Sequence, residues 1–197
     1  MKQEDLNKCI LAYGIPTTED AFHRNHEHEN KRYAQGFCKT GGWNRYRATV
    51  INPIQKIEPY LLKWGVRVIH DLTLDQFGGM FEDKDLSALV LVSHWLDHDD
   101  KESQIEFSDR FASVSWIIDR VPNEFEGVLD LCACHPDKLA KRLNQDRPKT
   151  IVVSTKNSEL TLSFWIYFYL TLFKQMHNEK ISYLQAWEDV MKELFKF

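Results

Sequence analysis

No apolar leader is visible in the sequence. Met1 to Lys8 is polar and charged, so no export signal is expected. It also lacks an apolar run long enough for a bilayer: the longest, Leu160 to Phe173, is interrupted by Thr161, Ser163 and Thr171, where about 20 apolar residues are needed. Cysteine is scarce. Four (Cys9, Cys38, Cys132, Cys134) in 197 residues cannot make a disulfide scaffold, which leaves reduced thiols as the expectation. Basic residues are not in excess, with Lys+Arg at 25 against Asp+Glu at 29 and a net charge of -4. Nucleic acid is therefore not an expected partner. No stretch is rich enough in Gly, Pro or Ser to be a linker, and no internal repeat is visible. What is present, 43% hydrophobic and 27% charged residues, is enough to build one core. The expectation is a soluble, cytoplasmic, globular protein with no membrane partner.

From residue 46 onward, β-rich runs alternate with helical spacing. Tyr46-Arg-Ala-Thr-Val-Ile51 reads as a first strand, ended by Asn52-Pro53. Ile54, Ile57, Leu61 and Trp64 then fall on one helix face, with Gly65 as its stop. Pro59 inside that stretch predicts a kink or a late start. Val66–Ile69 and Leu86–Val92 are the second and third strands, separated by a weaker helix from Leu74 to Asp83. Asp97 to Arg110 is a charged excursion holding six acidic and two basic residues, with a small hairpin expected around Ile105-Glu-Phe107. A helix over Val114–Val121 precedes the fourth strand, Gly127–Cys132, and a helix over Asp137–Leu143 precedes the fifth, Thr150–Val153. Two helices, Leu160–His177 and Ile181–Phe195, close the chain. This alternation predicts an α/β fold with a mostly parallel sheet and helices on both faces. Residues 1–45 fit it poorly and read as an irregular extension, leaving 46–197 as the domain.

Parallel sheets gather functional groups at the carboxyl ends of their strands. The third strand ends Val92-Ser93-His94-Trp95, and the fourth ends Leu131-Cys132-Ala133-Cys134-His135-Pro136. If those strands are neighbours, His94 and Cys134 sit side by side. A thiol beside an imidazole is the minimal apparatus of a cysteine hydrolase: the histidine takes the thiol proton and the thiolate attacks a carbonyl. Asp130 and Cys132 share a strand face with position 134 by the period of two. A small buried core residue is the preferred reading of Cys132.

In this order of elements the sequence resembles the caspase-like cysteine peptidases, and most closely their CHAT branch. Leu91-Val-Ser-His94 and Leu131-Cys-Ala-Cys134 match the strand ends where that family carries its catalytic His and Cys. Thr150-Ile-Val-Val-Ser154 is similar to its fifth strand, and Ile181-Ser-Tyr-Leu-Gln-Ala186 to its terminal helix. The resemblance covers about residues 46–195. It implies a three-layer caspase-like fold and a cysteine endopeptidase without cofactor, with His94 as general base and Cys134 as nucleophile. The expected partner is a protein or peptide substrate, with a regulating protein partner also in keeping with the family. Two positions depart from the pattern: Trp95 and His135-Pro136 stand where the family has glycine. These departures support a second reading, a catalytically inactive caspase-like module that binds protein partners.

Metacaspase-like members favour Arg or Lys before the scissile bond, which requires a carboxylate in the pocket. Cys132 stands where those enzymes keep an Asp, so Asp97, Asp99, Asp100 and Asp130 are the candidate substrate-binding residues. His23, His26 and His28, with the distant Cys38, match no zinc spacing and read as a solvated loop, so no metal is expected. Gly41-Gly42 lacks the Lys-Ser/Thr of a phosphate loop. The aromatic run Phe164–Tyr169 reads as core.

Overall fold

The computed structural model describes residues 6–29, 41–96, 102–133, 136–154 and 161–195. Five short apolar runs pair into one sheet: β1 (Cys9–Tyr13), β2 (Arg67–Ile69), β3 (Ala88–Val92), β7 (Val128–Cys132) and β8 (Ile151–Ser154). All pairings are parallel, in the order β2-β1-β3-β7-β8. The register sets Val92 beside Cys132 and Tyr13 beside Val92, so the carboxyl ends of the three central strands lie level.

Strand alternation divides the core in two. Leu11, Tyr13, Val90, Val92, Val128 and Cys132 face one layer of helices, Asn52–Trp64, Leu162–Glu179 and Tyr183–Phe195. Ile10, Ala12, Leu89, Leu91, Leu129 and Leu131 face the other, Leu74–Gly79, Val114–Arg120 and Asp137–Asp146. The fold is therefore a three-layer α/β sandwich. Both faces of the central strands are covered, which is why those strands are continuous apolar runs. Among the described residues no helix is long and apolar enough to cross a membrane.

Two expectations are corrected here. Residues 9–13 are not part of an irregular extension: Cys-Ile-Leu-Ala-Tyr is buried at every position and forms β1, between β2 and β3. The sheet domain therefore extends back past residue 46, and a helical segment, Glu19–Phe22 running into the π-helical His23–Glu29, belongs with it. Residues 46–51 are not a strand. Tyr46 ends a short helix, Gly42–Tyr46, and Arg47–Ile51 is a π-helical turn leading into Asn52–Trp64. Burial overrides the β-propensity of Thr49, Val50 and Ile51, because Tyr46, Val50, Ile51, Ile54, Ile57 and Leu61 make one continuous buried stripe. The helix runs unbroken through Pro59 and does not start late. It stops at Gly65 as expected, where φ of +95° suits glycine.

The charged excursion becomes a second, antiparallel sheet at the carboxyl end of β3: β4 (Trp95–Leu96), β5 (Gln104–Glu106) and β6 (Phe111–Ser113). The expected hairpin is the β5–β6 turn, closed by Phe107 and Arg110 exchanging backbone hydrogen bonds of 2.7 and 3.2 Å. Gly14, just past β1, donates its N–H to Val92 O at 2.9 Å. A Cβ there would lie 2.6 Å from Glu106 O, so glycine lets β5 close onto the main sheet. Gly14→Ala should cost about 1–3 kcal/mol in urea unfolding, since backbone must shift. Gly79→Ala, a helical position with nothing within 4 Å of the added Cβ, should be neutral or slightly stabilising. Equal stability of the two variants would contradict this account.

Candidate functional site

His94 lies two residues past β3, and its backbone is fixed from two sides. Ser93 N–H donates to Cys132 O at 3.0 Å, tying this segment to the end of β7, and Glu106 N–H donates to His94 O at 3.0 Å. Ser93 Oγ donates to Glu106 O at 2.6 Å. The loops after β1, β2 and β3 are joined as well: Leu72 N–H reaches Tyr13 O at 2.8 Å and Ser108 N–H reaches Leu72 O at 2.9 Å. Ser108 Oγ also donates to Asp71 O. The carboxyl edge of the sheet is thus a connected shell of loops.

Inside that shell is a polar cluster of His26, His94, Asn25 and Glu106. Glu106 is fully buried, and its Oε1 accepts from Asn25 Nδ2 at 3.0 Å and faces His26 Nε2 at 2.9 Å. Its Oε2 lies 3.9 Å from His94 Nε2. Asn25 Nδ2 also donates to Phe107 O at 2.9 Å. The two imidazoles stand at right-leaning angles, 62° apart with centroids 6.0 Å apart. Phe22 and Tyr46 close the apolar side of His26. His94 is 8% exposed. Burial pulls its imidazole down to about 4; Glu106 acts the other way and His26 deepens the depression. At neutral pH His94 is therefore an uncharged imidazole, the form that accepts a proton.

Of the expected site residues, His94 is at the carboxyl edge of a central strand, and its strand is paired to β7. Cys134 lies outside the described residues, as do His135, Asp97, Asp99, Asp100 and Cys38. The described chain reaches Ala133, one residue past β7. Asp130 is corrected: it is fully enclosed, its Oδ2 accepting from Tyr183 Oη at 2.7 Å, so it contacts the core and no substrate. Burial pushes its carboxyl up to about 7, against the lowering effect of Tyr183 and Tyr169. Cys132, 2% exposed, is a core residue as preferred. His26, expected on a solvated loop, is fully buried. His23 pairs with Glu19 at 3.6 Å. Among the described residues no group of three His, Cys, Asp or Glu side chains is arranged to hold a metal ion.

Three acidic residues of the excursion are already engaged. Glu102 Oε1 accepts from Arg142 and Ser115, Asp109 from Leu74 N–H and Arg110, and Glu106 is buried as described. They are structural. A cleft lined by Phe81, Pro122, Phe125, Val128 and Ile151 lies at the opposite, amino-terminal end of the strands, away from His94. Scans against protein-family models and curated proteins find no match.

The buried imidazole and buried carboxyl give opposite pH responses. For His94, with a folded value near 4 against 6.5 unfolded, the contribution to stability is full above about 6.5 and is lost as pH falls to about 4. For Asp130, with a folded value near 7 against 3.8, it is full below about 3.8 and is lost as pH rises to about 7. Denaturant titrations from about pH 4.5 to 7.5 should therefore separate the variants. Asp130→Asn should gain stability relative to the parent as pH rises, and His94→Gln should lose it. Parallel curves for all three proteins would contradict the assignment.

Proposed function

We propose that the chain is a cysteine endopeptidase of caspase-like type, with His94 as general base and Cys134 as nucleophile. The observation that supports this reading is the parallel pairing of β3 with β7 through Val92 and Cys132. One strand leads in two residues to an imidazole, and the other leads in two residues to a thiol. Two further features suit the chemistry. The imidazole is neutral at physiological pH and has a carboxylate, Glu106, beside it. The site lies at the carboxyl ends of the strands, on the edge where parallel sheets present loops to ligands.

The proton balance is simple. The Cys134 thiol proton passes to His94, and the sulfur bonds to the peptide carbonyl carbon. The C–N bond then breaks as the imidazolium gives its proton to the leaving amine. Water hydrolyses the thioester by the same route and restores the thiol. Preference for Arg or Lys before the scissile bond is carried over from the resemblance to metacaspase-like members. Glu102, Glu106 and Asp109 have partners within the fold and Asp130 is in the core. In this reading the pocket carboxylate is one of Asp97, Asp99 and Asp100, which follow β4 in sequence.

A second reading, an inactive module that binds protein partners, is favoured by Trp95. It stands where the family has glycine and is 6% exposed in the apolar layer beneath the site. An electrophilic peptide probe separates the two. The peptidase should label at Cys134, lose all labelling in Cys134→Ala and at least about tenfold of its rate in His94→Ala. A folded protein that does not label is the module. Asp97→Asn/Asp99→Asn/Asp100→Asn should reduce cleavage after Arg and Lys even at about 0.5 M salt, where surface attraction is screened. A peptide library cut after Asp or apolar residues would overturn the basic preference.

A further inference from the structure

We infer that Glu106 is the positioning residue of His94, held for that purpose by Asn25 and His26. The inference rests on the peptidase reading and adds a third member to its site. The two oxygens of Glu106 have different surroundings. Oε1 takes the Asn25 amide at 3.0 Å and the His26 ring nitrogen at 2.9 Å. Oε2 has no hydrogen-bond partner among the described residues, and it faces His94 Nε2 at 3.9 Å. An unanswered buried oxygen costs desolvation, and Oδ1 of Asp130 carries the same cost within the core; what sets Oε2 of Glu106 apart is the imidazole it faces at the carboxyl edge of the sheet. Here the answered oxygen anchors the group and the other is left toward the imidazole.

The backbone supports the same assignment. Glu106 N–H donates to His94 O, so one residue constrains both the main chain and the ring of the histidine. The site is also inelastic. Gly14 abuts Glu106 O and Ser93 Oγ donates to it. Among the described residues, Glu106 from β5 and His26 from the 19–29 segment are charged or titratable groups that act on His94. Arg24 on that segment is turned to Ser108 O at 2.8 Å.

The consequence is a choice of tautomer. A carboxylate only accepts, so the nitrogens facing it carry the hydrogens: Nε2 of His26 and Nε2 of His94. Nδ1 of His94 is then the lone pair that takes the thiol proton, and Glu106 stabilises the imidazolium that results. In Glu106→Gln, Asn25 and His26 still donate, so they claim the amide oxygen. The new NH2 group then faces His94 Nε2 and forces it to accept, moving the hydrogen to Nδ1. The ring keeps its place with its proton on the wrong atom.

Nitrogen-15 NMR of the imidazoles reads this without any activity. In the parent protein at pH 7, His94 should be the Nε2–H form; the Nδ1–H form there would overturn the inference, whether or not any variant folds. In Glu106→Gln the His94 signals should switch to Nδ1–H, and an unchanged tautomer would equally overturn it. In the cleavage assay, kcat should fall by about 10²–10⁴-fold, the scale of a misplaced imidazole proton, with KM nearly unchanged. A kcat near that of the parent would sink the positioning role. Absence of cleavage and of thiol labelling in the parent protein would instead remove the peptidase reading and leave the tautomer result standing on its own.

Discussion

A carboxylate shut away from water must be met by donors, and Glu106 is met by residues 80 and 81 positions away in sequence. That requirement organises the carboxyl edge of the sheet. It brings the 19–29 segment over the ends of β1 and β3, because only from there do Asn25 and His26 reach Oε1. It fixes β5 above β3, with Gly14 leaving the space and Ser93 supplying the hydroxyl bond. It also leaves His94 enclosed beside a negative charge. The antiparallel β4-β5-β6 sheet is thus part of the site's scaffold, and the acidic character of the excursion is in part a structural demand.

Two buried carboxyls among the described residues illustrate different solutions to the same cost. Asp130 accepts from the Tyr183 phenol and has the Tyr169 phenol near it; neither brings positive charge, and burial pushes its carboxyl up to about 7. Glu106 is surrounded by an amide, which donates, and by two imidazoles, which can take up positive charge as a neighbour reacts. Asp130 lies within the helical layer and serves the core. Glu106 lies where the loops of β1, β2 and β3 meet.

Much of this was legible in the chain because it is local. Strands such as Ala88–Val92 and Val128–Cys132 are largely apolar runs with a clear stop, and the closing helices announce themselves by spacing. The α/β architecture followed from that alternation, whereas the adjacency of β3 and β7 was only a condition in the sequence and is supplied by the strand pairing. The missed elements are those settled by tertiary burial. Cys9–Tyr13 is a five-residue apolar run with no periodicity to distinguish a strand from a helix segment. Residues 46–51 have β-branched side chains whose preference is overruled by the stripe they complete with Ile54 and Ile57. The pairing of His26 with Glu106 left no signal, since nothing in a single sequence relates positions so far apart. A histidine-rich stretch and a lone Glu within an apolar hairpin, Ile105-Glu-Phe107, were its only traces.

The central claim is that the imidazole at position 94 serves the thiol at position 134. The most direct measurement is the pH dependence of Cys134 alkylation by iodoacetamide, with the modified residue identified by peptide mapping. Cys9 and Cys132 are buried, at 0% and 2% exposure, and should react slowly. The account predicts that Cys134 is alkylated faster than an ordinary cysteine at about pH 7, because the neutral His94 imidazole takes the thiol proton as sulfur attacks, with that excess lost in His94→Ala. An ordinary profile in the parent protein, unchanged by His94→Ala, would contradict it.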